Sequence, residues 1–222
     1  MSFLNLHQLT KHYRTKGGNV EALNSVDLSI DAGEFVAIQG PSGCGKTTLL
    51  LALGGMLRPT SGSVTVDDTE LYRLSSRERA AFRANSIGFV FQMFHLVPYL
   101  SILENIWLGS GVGGNTKPDK ERAQTLLDQL GMADRQHHLP SELSAGEKQR
   151  AAVARAMINQ PKVILADEPT GNLDPNNASD VVRYLQEFNR DGGTVVMVTH
   201  GTNADLAANR VVQLEKGQII SQ

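Results

Sequence analysis

The sequence predicts an α/β fold, a mainly parallel sheet covered by helices, and three observations carry that expectation. Short β-patterns alternate with helical patterns over most of the 222 residues, the order that builds parallel sheets. The runs Phe35-Val36-Ala37-Ile38, Val163-Ile164-Leu165-Ala166 and Val195-Val196-Met197-Val198 are apolar at every position, as central strands buried on both faces are. Between Gln92 and Leu143 the strand signal vanishes, which reads as a helical insertion into the α/β core.

In chain order, strands are expected at Leu4 to Leu9, Ala22 to Ile30, Phe35 to Gln39, Ser63 to Asp67 and Ile87 to Phe91. Three more are expected at Val163 to Ala166, Thr194 to Thr199 and Arg210 to Leu214. A helix from Thr48 to Leu57 follows the third strand. Ala123, Leu126, Leu127 and Leu130 fall at helical spacing, with Gly131 as the stop. Val153, Ala154, Met157 and Ile158 line a second amphipathic helix, and Val181, Val182, Leu185 and Phe188 a third. Gly109 to Pro118 is the one Gly-rich loop long enough to be mobile. Arg73, Arg77, Arg79 and Arg83 read as a solvated helix face partly offset by Glu78, with an anionic-membrane contact as the alternative.

Composition narrows the function. Lys plus Arg number 21 against 23 Asp plus Glu, so no nucleic-acid partner is expected. The single cysteine, Cys44, excludes an internal disulfide framework and suits a reducing compartment. No run approaches the roughly 18 apolar residues that cross a bilayer, and Met1 to Thr10 lacks the pattern of a signal peptide. A cytoplasmic protein is expected, with any membrane role supplied by a partner chain.

Gly40-Pro41-Ser42-Gly43-Cys44-Gly45-Lys46-Thr47 fits G-x-x-x-x-G-K-[ST] between a strand and a helix that opens with Thr48. Glycines let successive N–H groups turn inward around phosphate oxygens, and the helix points its positive end at them. Lys46 would reach the β and γ phosphates of ATP and the Thr47 hydroxyl would ligate Mg²⁺. An incidental Gly-rich turn is the competing reading, and the strand-loop-helix context argues against it. Cys44 reads as a small loop residue rather than a reactive thiol.

The strand Val163 to Ala166 runs into Asp167-Glu168. Asp167 can hold Mg²⁺ through water beside a phosphate loop, and Glu168 can polarise the water that attacks the γ-phosphate. His200 and Gln92 each end a strand, where ligands bind in such sheets. His200 could hold the γ-phosphate and the water in line; Gln92 could reach Mg²⁺ or the water, or cap its strand. Farther on, Leu143-Ser144-Ala145-Gly146-Glu147 opens a helix. Ser144 with Glu147 has capping-box spacing, but such a start is also an anion site. With one phosphate loop already present, this second site would be idle unless another copy brought its nucleotide, which suggests ATP sandwiched between two copies.

Together the phosphate loop, Gln92, Leu143 to Glu147, Asp167-Glu168, Asn172-Leu173-Asp174 and His200 make the chain resemble, over close to its full length, the ATPase subunits of ATP-binding cassette transporters. Two stretches, Phe89 to Pro98 and Asp167 to Asp174, look like the lipoprotein-release and macrolide-export branch. The resemblance implies a P-loop NTPase (RecA-like) core, an antiparallel β subdomain near the N-terminus and an inserted α-helical subdomain. It also implies a single ATPase domain over 1–222, with an α/β core from 1–91 and 159–222 and a helical lobe at 92–158. Tyr13 would stack on adenine. Ser144, Ala145, Gly146, Glu147 and Asp174 would contact the ATP of the other copy in a head-to-tail dimer, although Asp174-Pro175 also reads as a plain N-cap with proline at N1.

That dimer would sit on the cytoplasmic face and drive a separate membrane permease, docked near Phe94, Leu96, Tyr99 and Leu100. Relatives that power a mechanical or signalling complex instead are the alternative, because both need the same ATPase cycle. Two departures stand out. Ala145 replaces a usual glycine, which would be strained if the backbone there needs φ > 0, and Gly201 follows His200 where an acid is common. No regulatory domain is expected after Gln222.

Overall fold

Side chains of a strand alternate between the two faces of its sheet, which is why a sheet covered on both sides needs strands apolar throughout. The computed structural model describes residues 2–110, 119–200 and 208–221. Its six-stranded sheet has the order β10-β9-β3-β8-β7-β6, built from β3 (Phe35–Gln39), β6 (Ile87–Phe91), β7 (Val163–Asp167), β8 (Thr194–Thr199), β9 (Arg210–Glu215) and β10 (Gln218–Ser221). All pairs are parallel except β9 with β10. Val36, Ile38, Leu165, Val196 and Val198 pack into one core, while Phe35, Ala37, Ile164, Ala166, Val195 and Met197 pack into another. The two cores are the two faces of this sheet.

The first face is covered by α1 (Lys46–Leu53) and by a four-stranded antiparallel sheet of order β2-β1-β4-β5. That sheet comprises β1 (Ser2–Thr15), β2 (Gly18–Asp31), β4 (Ser61–Val66) and β5 (Thr69–Glu70). Both N-terminal strands are longer than the sequence pattern indicates, because their outer halves pair with each other in solvent. The two short strands β5 and β10 carry no apolar alternation and escape the pattern altogether. The opposite face is covered by α3 (Ile102–Ser110), α4 (Lys120–Gln129), α5 (Ala145–Met157) and α6 (Pro175–Arg190). Between Phe91 and Val163 no strand occurs among the described residues. The expected loop Gly109 to Pro118 begins inside α3, and its part at 111–118 lies outside the described residues, as does Gly201.

α1 ends four residues before the predicted Leu57. Left-handed Gly55, at φ 66°, turns the chain so that the N–H groups of Met56 and Leu57 reach back to Leu51 O at 2.9 and 3.1 Å, a helix-terminating arrangement. The basic cluster is only partly a solvated face. On α2 (Ser76–Ser86), capped reciprocally by Ser75 and Glu78, Arg83 turns inward and donates to Gly55 O at 3.1 Å. Arg79 lies over the Tyr72 ring, whose hydroxyl is 2.7 Å from Ala52 O and 2.6 Å from Leu57 O. These groups satisfy carbonyls at the C-terminal end of α1, where cations are favoured. Arg73 pairs with Glu70 at 2.8 Å.

Candidate functional site

Parallel registers bring the candidate residues together. Gln39 is level with Thr199 and Phe91 with Asp167, so Gly40 and His200, and likewise Gln92 and Glu168, leave the sheet at the same edge. This is the C-terminal edge, where open α/β sheets bind ligands. A cleft of about 330 Å³ there is lined by Ala22, Ser42, Gly43, Gly45, Lys46, Thr47, Thr48, Gln92, Asp167, Glu168 and His200. Of these, Ala22 has no sequence signal; it arrives through the long β1–β2 hairpin.

The loop is shaped by close backbone approach. Gly45 caps α1 in a left-handed conformation at φ 112°, and a Cβ there would meet Ala22 O at 2.3 Å. Cys44 is buried in the core. Its N–H donates to Pro41 O at 3.2 Å and its carbonyl accepts from Gly217 N at 2.9 Å, so it serves as a small packing residue. The Lys46 ammonium, itself buried, donates to Gly40 O at 2.8 Å and Pro41 O at 3.1 Å and lies 4.0 Å from Glu168 Oε1. Tyr13 is at the margin, outside the cleft lining; its hydroxyl is 3.4 Å from Thr48 Oγ1 and Lys11 Nζ stands 5.3 Å from its ring centre.

Opposite the loop, the Thr47 hydroxyl donates to Asp167 Oδ1 at 3.0 Å. Burial pushes the Asp167 carboxyl above its ordinary range; the Thr47 hydrogen bond opposes this, Glu168 adds to it and Lys46 opposes it. Glu168 is left-handed at φ 48°, a conformation costly for a residue with a side chain. Its N–H is held by Val198 O at 3.0 Å, and the turn swings its carboxylate back into the cleft. There it is hydrogen-bonded to His200 Nδ1. Gln92 is tied to the loop beyond Glu168: its Nε2 donates to Asn172 Oδ1 at 3.4 Å, and Asn172 Nδ2 donates to Gln92 O at 3.2 Å.

No three His, Cys, Asp or Glu converge as a metal cage among the described residues. Mg²⁺ does not require one, since it takes one or two protein oxygens together with water and substrate phosphates. Thr47 Oγ1 and Asp167 Oδ1 are hard oxygen donors side by side beside a phosphate loop, and they fit that ion.

The remaining site candidates stand apart from this cleft in the same chain. Ser144 caps α5 in a complete capping box with Glu147, and Arg135 Nε donates to Glu147 Oε1 at 2.8 Å. Arg135 first, and the Ser144 N–H next, hold the Glu147 carboxyl down at about 2. Ala145 lies in the first turn of α5 and is not among the residues with positive φ, so replacing a glycine there brings no strain. Asp174 caps α6, accepting from the N–H groups of Asn176 and Asn177 at 3.1 and 3.2 Å, with Pro175 in the first helical turn.

Gly146 is where α5 meets α6: a Cβ would sit 2.0 Å from Asn177 Oδ1. That oxygen also accepts from Arg150 at 3.0 Å, and Asn177 Nδ2 donates to Asp174 Oδ2 at 2.5 Å. Gly146→Ala is therefore expected to lower the unfolding free energy by about 1 kcal/mol, the low end for overpacking because an Asn side chain can shift. Urea unfolding of the two proteins measures it.

The sequence profile of the ABC transporter family matches residues 23–171. The "Uncharacterized ABC transporter ATP-binding protein YknY" of Bacillus subtilis (strain 168) is 42% identical over 220 residues, covering 98% of this chain and 95% of its own. The "Macrolide export ATP-binding/permease protein MacB" of Burkholderia thailandensis is 44% identical over 218 residues, 98% of this chain but 33% of MacB. The chain thus spans about a third of the length of that relative. Among solved structures, the dimeric post-hydrolysis state of the ATP-binding cassette MJ0796 bound to ADP and Pi superposes with a TM-score of 0.91. It is 38% identical, with 98% of this chain and 97% of that one covered.

Proposed function

The chain belongs to the ABC transporter family and is an ATPase of it, and from that we propose that two copies close on two Mg-ATP to drive a membrane permease. The observation that carries the ATPase chemistry is the single cleft in which Lys46, the Thr47–Asp167 pair and the Glu168–His200 pair face one another. Lys46 exchanges its loop carbonyls for phosphate oxygens, with the loop N–H groups and the N-terminal end of α1 behind it. Thr47, with Asp167 through water and Gln92 from the same cleft, would hold Mg²⁺, which would supply charge neutralisation for the phosphates. Glu168 takes the proton of the attacking water, and His200 holds the carboxylate that does so.

A second copy completes the site. Ser144 and Gly146 are not among the lining residues of their own chain's cleft, and the start of α5 is an anion-attracting helix end. That the MJ0796 cassette is dimeric supports pairing of two copies; in this reading they lie head to tail, Ser144, Ala145, Gly146, Glu147 and Asp174 of each copy facing the other's ATP, with Tyr13 beside the adenine. No helix among the described residues is long and apolar enough to cross a membrane; in this reading a permease carries out the membrane work, with the ATPase on its cytoplasmic side. The macrolide-export name of the MacB relatives supports export of a macrolide or similar hydrophobic compound as the cargo, with lipoprotein release as the other member of the proposed branch.

The permease is proposed to dock at a groove of about 370 Å³ lined by Met56, Phe89, Phe91, His95, Arg155 and Asn159, among others. Met93 and Tyr99, 67% and 78% exposed, stand on the segment that leads away from Gln92. Leu96 is instead packed against the core. Glu168→Gln, loaded with Mg-ATP, is expected to capture a stoichiometric polytopic membrane protein from detergent-solubilised native membranes. Adding Tyr99→Asp and Met93→Asp should abolish the capture while ATP binding persists. Capture of no membrane protein by an ATP-trapped dimer would count against a permease partner.

A further inference from the structure

We infer that Arg155 is a positioning residue for ATP hydrolysis, clamping the segment after Gln92 to the far end of the helix that begins at Ser144. Its guanidinium donates through Nη1 to His95 O at 2.5 Å and through Nη2 to Phe94 O at 2.7 Å. Phe94 and His95 are consecutive left-handed residues, at φ 58° and 50°, a pairing that side-chain-bearing residues adopt only when the surroundings hold it. The turn aims both carbonyls at one fork-shaped donor, geometry that a guanidinium matches and a single ammonium does not.

No carboxylate pairs with Arg155 among the described residues, and burial lowers its pKa. The cation is thus committed to the loop rather than to a counter-ion. On its other side the same segment is tied to the catalytic edge, where Gln92 and Asn172 exchange two hydrogen bonds. α5 is 13 residues long, so Arg155 near its end and Ser144 at its start are joined by a rigid rod of about 17 Å. The position of Gln92 is thereby referred to the position of the helix start proposed to meet the other copy's nucleotide.

This inference rests on the proposed role of Gln92 beside Mg-ATP, and the test separates the two. In the full chain, Arg155→Met is expected to lower kcat at least about fivefold, the scale of site-to-site coupling, with KM for ATP within about twofold. Amide hydrogen exchange should accelerate at residues 92–97 and stay unchanged in β7 and β8. Arg155→Lys, which keeps the charge but loses the fork, should fall between wild type and Arg155→Met on both readouts. An unchanged kcat, or acceleration spread equally through the sheet, overturns the clamp. If Gln92→Ala turns over slowly while Arg155→Met does not, the clamp alone is refuted. If Gln92→Ala turns over normally, the role of Gln92 fails and takes this inference with it.

Discussion

Lys46→Ala is expected to abolish measurable Mg-ATP binding. Among the described residues the ammonium is the one lysine or arginine group lining the cleft, and it is already buried, so most of its desolvation precedes the arrival of phosphate. Charge-assisted hydrogen bonds are each worth about 1.5–3 kcal/mol. Losing contacts to two phosphate groups raises Kd by at least about 100-fold. The side chain also ties Gly40 O and Pro41 O together, so the variant loses some order in its loop. Most of the loop, however, is held by groups the substitution leaves alone: Cys44 to Pro41, Gly217 to Cys44 and the cap at Gly45. A cooperative urea transition near that of the wild type, together with a flat titration of fluorescent ATP analogue, is the expected pair of results. Unchanged affinity in a folded variant would overturn the assignment of this loop to phosphate.

What was legible in the sequence follows from where each signal comes from. Phe35–Ile38 of β3, Val163–Ala166 of β7 and Val195–Val198 of β8 are apolar at every position because each alternate residue belongs to a different core, and that constraint is written along the strand itself. The outer halves of β1 and β2 obey no such constraint. Tyr13 pairs with Val20 and Arg14 with Asn19 through backbone hydrogen bonds over solvent, so any residue tolerant of extended backbone serves there. α2 buries no residue fully and has correspondingly little apolar periodicity; its one local signature is the Ser75–Glu78 cap.

The same division runs through the site. The phosphate loop and Asp167-Glu168 are contiguous chemistry, and a contiguous motif is readable. The left-handed turn at Glu168 is not, because it follows from the Glu168 N–H reaching β8. Nor is Arg155, whose partners are carbonyls some sixty residues away in sequence and leave no mark on residue type. Cys44 shows the limit from the other side: a thiol inside a nucleotide loop invites a chemical role, and its packing against the core removes it.

Glu168→Gln is expected to separate binding from chemistry. The substitution is isosteric, and the features that place the side chain are backbone features: the left-handed turn and the N–H bond to Val198 O. Thr47, Asp167 and the loop backbone keep their hydrogen-bond partners, and Lys46 loses only a 4.0 Å charge contact while keeping its bonds to Gly40 O and Pro41 O, so Mg-ATP affinity should stay within about threefold, a difference below 1 kcal/mol. An amide has no basic lone pair able to take the water's proton, and general-base groups contribute about 10²–10⁴ in rate. Turnover should fall by at least about 100-fold, and ATP-bound dimer should accumulate in gel filtration because the step that dissolves it is blocked. His200→Ala provides the contrast. His200 is exposed and its hydrogen bond goes to the carboxylate rather than to the loop, so its loss should slow turnover less than loss of the base itself. If instead Glu168→Gln turned over ATP at the wild-type rate, the proton would have to leave by another route. Among the described residues the only other carboxylate lining the cleft, Asp167, is bound to Thr47 and is the group proposed to face the metal, so the whole division of labour between the two acids would have to be reversed.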